Sequence, residues 1–217
     1  MELKGKKIYF LGDSITEGVG ASDAEHCYVS VFGKLSGAIV KNDGISATRI
    51  ACQTENLTTK EPDLSFVNRV DSMDSDADVV VVFGGTNDFG HGDAKLGTFE
   101  SRDPYTFYGA MHVLCEKLIN RFPNADILFM TPLHRCSEDE VSKENGLPEE
   151  TNLAGYVSII REVAEFYGLP VLDLFSTSGL QPKVDIIKET YMPDGLHPSD
   201  AGALRIALRL MGFLQTL

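Results

Sequence analysis

The sequence predicts an α/β protein, a three-layer α/β/α sandwich on a five-stranded parallel sheet. Two observations carry this. Five short apolar runs alternate with longer amphipathic stretches along 217 residues, as in strand–helix repeats that feed a parallel sheet. Within one run, Val79-Val80-Val81-Val82-Phe83 shows no polar alternation, as expected of a strand covered on both faces.

In chain order, strands are expected at residues 7–11, 38–41, 77–83, 126–130 and 170–174. Between the third and fourth, Tyr108, Met111, Cys115, Leu118 and Phe122 recur at helical spacing, and Pro104 suits a helix start. Leu153, Tyr156, Ile160, Val163 and Tyr167 repeat the pattern after Asn152, and Gly168 supplies a stop. A last helix follows Pro198-Ser199, with Ala201, Leu204, Leu208 and Met211 as its expected apolar stripe. No repeat, low-complexity tract or Pro/Gly-rich linker interrupts this order, so one domain over residues 1–217 is expected.

Composition narrows the partners. The net charge of -13 repels phosphate backbones and anionic lipid, which argues against nucleic-acid and membrane partners. The acidic runs at 71–78 and 138–150 read as solvated loops or helix faces. Cys27, Cys52, Cys115 and Cys136 lie far apart and form no C-x-x-C pair, so no zinc site is expected. The apolar run Ile8-Tyr9-Phe10-Leu11 is too short for a signal peptide and no segment reaches membrane-spanning length. A cytoplasmic protein with free thiols is the expectation. No stretch announces a subunit interface.

In such sheets functional groups gather beyond the carboxyl ends of the strands. Four segments lead there. The first strand runs into Gly12-Asp13-Ser14-Ile15-Thr16-Glu17-Gly18, where Ser14 can face a cleft or simply help cap a helix. The motif is not the G-x-S-x-G elbow, because Thr16 occupies the second glycine position. The second strand leads to Asn42-Asp43-Gly44-Ile45-Ser46, read either as a turn or as a backbone N–H able to approach a substrate oxygen. The third delivers Gly84-Gly85-Thr86-Asn87-Asp88. The Asn87 amide is a donor suited to an oxyanion, although Asn also closes Asx turns. Near the end stands Pro193-Asp194-Gly195-Leu196-His197-Pro198, in which a carboxylate three residues before an imidazole can fix its tautomer.

Together these blocks resemble the SGNH hydrolase family, also called GDSL esterases and lipases, over nearly the whole chain. Gly12-Asp13-Ser14, Gly44 after Asn42, Gly85-Thr86-Asn87-Asp88 and Asp194-Gly195-Leu196-His197-Pro198 stand in the family's order. The resemblance implies a flavodoxin-like topology and a serine esterase acting through an acyl-serine intermediate. It assigns Ser14, Asp194 and His197 as the catalytic triad, and Ser14, Gly44 and Asn87 as the oxyanion hole. His197 would deprotonate Ser14 as it attacks an ester carbonyl and would then protonate the leaving alcohol. No metal or organic cofactor is needed.

Asp13 and Asp88 read as structural, and His112 as a packed histidine on an apolar helix side. The connections 89–103 and 133–151 are long enough to be lids or substrate walls, which makes His91, His134 and Arg135 candidate substrate-binding residues. Neither connection carries an amphipathic apolar stripe. The expected partner is therefore a small-molecule ester, soluble in water, such as an O-acetyl group on a carbohydrate. Alternatives are a lysophospholipase or thioesterase of the same family, a metal-dependent phosphoesterase whose Asp and Asn ligands are echoed by Gly12-Asp13 and Asn87-Asp88, and a non-catalytic carbohydrate-binding module.

Overall fold

The computed structural model describes residues 1–59, 62–143 and 150–217. Its strands are β1 (Lys7–Gly12), β2 (Ile39–Gly44), β3 (Val79–Phe83), β4 (Asp126–Met130) and β5 (Val171–Leu172). All pair in parallel, in the order β2-β1-β3-β4-β5, which is the flavodoxin-like order. The helices are α1 (Ser14–Glu17), α2 (Tyr28–Ser36), α3 (Glu55–Thr59), α4 (Phe66–Arg69), α5 (Thr86–His91), α6 (Phe107–Arg121), α7 (Leu153–Phe166), α8 (Leu174–Thr177), α9 (Asp185–Tyr191) and α10 (Asp200–Thr216).

Side-chain alternation along the strands creates two cores. Ile8, Phe10, Val79, Val81 and Phe83 meet α2 and α10 on one face, while Tyr9, Leu11, Val80 and Val82 meet α4, α6 and α7 on the other. Every residue of β3 is buried, which explains its unbroken apolar run. Phe10 packs edge-to-face on Tyr28 and Phe32, with ring centroids 5.7 Å away in each case. Among the described residues no helix is long and apolar enough to cross a membrane.

Local chemistry shifted several boundaries. β2 continues through Asn42–Gly44 instead of stopping at residue 41, because it pairs with β1 along its whole length. β5 is cut to two residues, since Asp173 leaves the sheet to cap α8 at the Ser176 N–H. Helix α6 starts at Phe107, where Thr106 caps the Gly109 N–H. Pro104 lies ahead of it in the approach. On α10 the expected stripe is wrong. Leu204 and Leu208 are 43% and 47% exposed, and Ala203, Ile206, Ala207, Leu210 and Leu214 are buried instead. Two stripes of helical spacing coexist there, and the one holding the smaller residues lets α10 lie close against α2.

The acidic run 138–150 is also misread at Glu138, which is 7% exposed. Burial drives its pKa up, but hydrogen bonds from Lys183, His134 and Gln181 outweigh that and hold the carboxyl below its ordinary range. Residues 144–149 of the 133–151 connection lie outside the described residues.

Candidate active site

β1 ends at Gly12, and Asp13 turns the chain by accepting the Ile15 N–H at 3.0 Å. This cap starts α1 at Ser14, whose side chain therefore leaves the carboxyl edge of the sheet. As a first-turn residue, Ser14 keeps a backbone N–H with no intrahelical acceptor. Its Oγ lies 3.0 Å from His197 Nε2.

His197 comes from the turn between α9 and α10. There Asp194 Oδ1 accepts the backbone N–H groups of Leu196 at 2.9 Å and of His197 at 2.7 Å, forming an Asx turn. Its second oxygen, Oδ2, sits 2.7 Å from His197 Nδ1. One carboxylate thus builds the turn and aims the ring. A carboxylate only accepts, so Nδ1 carries the proton and Nε2 is left to accept from the Ser14 hydroxyl. Burial tends to raise the Asp194 pKa, but the hydrogen bonds from His197 and the turn N–H groups prevail and hold it below the usual range. The turn is braced from outside. Cys136 N–H donates to Gly195 O at 2.9 Å, and Gly195 has φ +80°, where a Cβ would run into the Cys136 side chain.

Asn87 lies in the first turn of buried α5. Its Nδ2 donates one hydrogen to Thr48 O at 3.0 Å, leaving the second. The N–H expected as a donor at Gly44 is already paired. It donates to Asn42 Oδ1, two residues upstream, at 2.9 Å. The glycine is required instead by close approach, because a Cβ at Gly44 would sit on the backbone of Thr16 and Glu17. Three residues on, Ala47 is the one non-glycine residue with positive φ among the described residues, at 61°.

The two neighbouring acids face inward. Burial pushes Asp13 up to about 7, against the pull of the Ile15 N–H. It pushes Asp88 up to about 6, against hydrogen bonds from Ala51 and Ile50. Both Asp88 oxygens accept those N–H groups at 2.9 Å, so the Asp88 carboxyl is spent on backbone.

The loop candidates fare differently. His134 pairs through Nδ1 with Glu138 at 2.7 Å and lies 3.9 Å, centroid to centroid, from the Phe175 ring. Arg135 is 5% exposed and donates to Thr86 O at 3.3 Å and Ser137 Oγ at 2.9 Å. It buttresses α5 from a buried position. His91 ends α5, half-buried. His112 is fully buried with Nδ1 3.1 Å from the Tyr167 hydroxyl, and burial lowers its pKa.

The profile of the GDSL-like lipase/acylhydrolase family matches residues 10–205. The chain belongs to that family. Among solved structures, one is 38% identical over 100% of this chain and 99% of its own, with a TM-score of 0.86. A Lactobacillus plantarum protein is 28% identical, covering 99% of this chain and 98% of its own at TM-score 0.83. A carbohydrate acetylesterase family member from Sinorhizobium meliloti shares the fold at 19% identity, with 97% and 98% coverage and TM-score 0.64. No curated protein matches the chain.

Sequence reasoning missed Ala47, Thr48 and Arg69 at this site. Arg69 left one signal, a lone cation amid Phe66, Val67 and Val70. Ala47 and Thr48 left none.

Proposed function

We propose that this GDSL-family chain is a serine carboxylic-ester hydrolase. The observation that carries the reading is the relay from Ser14 Oγ to His197 Nε2 at 3.0 Å and from His197 Nδ1 to Asp194 Oδ2 at 2.7 Å. His197 takes the Ser14 proton as Oγ attacks the carbonyl, and returns it to the leaving alcohol. Water then attacks the acyl-serine by the same route. The imidazolium that forms in each half-reaction is stabilised by Asp194.

Charge on the carbonyl oxygen is met by the Ser14 N–H and the second Asn87 amide hydrogen. The Ala47 N–H, which has no acceptor among the described residues, replaces that of Gly44 as third donor. A strained positive-φ residue at such a place fits this role.

The substrate is a small, water-soluble ester, with an O-acetyl group on a carbohydrate as first choice. Two things support this: the shared fold with a carbohydrate acetylesterase family member, and connections after β3 and β4 whose described parts bury polar groups such as Glu138 and Lys143. Labelling with a fluorophosphonate followed by peptide mapping is expected to modify Ser14. Modification elsewhere would refute the reaction class. p-Nitrophenyl acetate is expected to turn over faster than the octanoate, and the reverse order would refute the substrate class.

A further inference from the structure

We propose that Arg69 is a positioning residue for ester hydrolysis, locking the end of β1 that carries Ser14 and the 45–48 turn that carries the Ala47 N–H into one rigid unit. The proposal rests on the serine-esterase reading above.

Arg69 closes the short helix α4 and is 8% exposed. Its Nη1 donates to Asp43 O at 2.7 Å, and its Nη2 donates to Gly12 O at 2.8 Å and to Thr48 Oγ1 at 3.1 Å. The first two acceptors lie at the ends of adjacent strands, and the third lies in the turn. Gly12 O also accepts the Ile45 N–H at 3.1 Å, while Thr48 Oγ1 donates to Ile45 O at 2.7 Å. Thr48 O then accepts from Asn87. A continuous series of hydrogen bonds therefore runs from the residue before Asp13-Ser14, through Arg69 and Thr48, to Asn87.

None of the three acceptors is a carboxylate. Burial penalises the guanidinium, and Asp13 and Asp43 offset only part of that penalty. An apolar side chain over the Phe66 ring, 4.8 Å from the guanidinium, would fill the space at lower cost. What an apolar residue lacks is the rigid planar fork that reaches three acceptors at once. Oxyanion donors act only when held within about 0.5 Å of productive geometry. Arg69 supplies that constraint without touching substrate.

The test compares R69M, R69K, T48V, T48S and S14A on p-nitrophenyl acetate, with kcat and KM separated and folding followed by circular dichroism. R69M is expected to lose about 10²-fold in kcat with KM within about threefold, as for loss of an oxyanion donor. R69K should recover part of this loss. T48V should lose about tenfold in kcat, and T48S should recover most of it, because the serine hydroxyl still bridges Arg69 and Ile45. A folded R69M with near-wild-type kcat, or a loss confined to KM, overturns the proposal. If R69M does not fold, T48V and T48S decide alone, and equal kcat values overturn it. Activity retained by S14A would overturn the serine reading itself, a result separable from any ranking of the Arg69 and Thr48 variants.

Discussion

The two halves of the candidate site are built in opposite ways. The proton-relay half is local and open: Asp194 and His197 sit on one turn, and the Asp194 side chain is 55% exposed. The donor half is distributed and buried. Asn87 on α5, Thr48 after β2 and Arg69 on α4 converge from three connections, each below one-tenth exposed. A relay needs only that an imidazole be aimed, and one carboxylate accepting three N–H groups suffices. Donors must meet a charge that exists for an instant, so they are fixed in advance by scaffold on every side. The relay half should therefore lose chemistry without losing fold when mutated, while the donor half should lose both.

The largest effect tests the point where the halves meet. S14A is expected to lower kcat by about 10⁵-fold or more, and wild-type turnover would void the comparison altogether. D194N should cost on the order of 10⁴-fold in kcat, with Tm nearly unchanged, since an Asn Oδ1 still accepts the Leu196 and His197 N–H groups. A large fall in Tm would show that the relay half is not local. N87A should cost about 10²–10³-fold in kcat. It should also lower Tm, because it strands the buried Thr48 carbonyl at about 1–3 kcal/mol, and each kcal/mol moves Tm by about 2–4 °C at this size. An N87A variant with unchanged Tm would erase the contrast.

A pH effect lies beneath both halves. Asp13 keeps a pKa of about 7 in the folded chain against 3.8 ordinarily. Between those values the folded state holds a proton that the unfolded state has released, so rising pH favours unfolding. D13N keeps the capping oxygen and cannot ionise. Wild type should therefore lose Tm relative to D13N as pH rises from about 4 to about 7, a difference readable by calorimetry at pH 5 and pH 8. Parallel pH curves would show that Asp13 is not buried as a proton-holding acid.

The same contrast decided what the sequence disclosed. The pairing of Asp194 with His197 was legible because both lie within four residues of one Gly- and Pro-bounded turn. The sheet was legible because β3 is apolar on both faces and its neighbours alternate with amphipathic helices. The donor half was not. Whether Gly44 or Ala47 offers a free N–H depends on the Asn42 side chain folding back onto the Gly44 N–H, a local contact that the residue types alone do not announce. Arg69, Arg135 and Glu138 look like solvated charges until partners far away in the chain bury them. The stripe on α10 failed for a related reason, since two faces had the right period and only contact with α2 chooses between them.

One consequence follows from β5. At two residues, it gives a foreign backbone almost no ladder to zip onto, and the opposite border strand, β2, carries Lys41 bound to Asp74. Both rims of the sheet are thus poor templates for the edge-to-edge stacking that turns β-rich proteins into fibres.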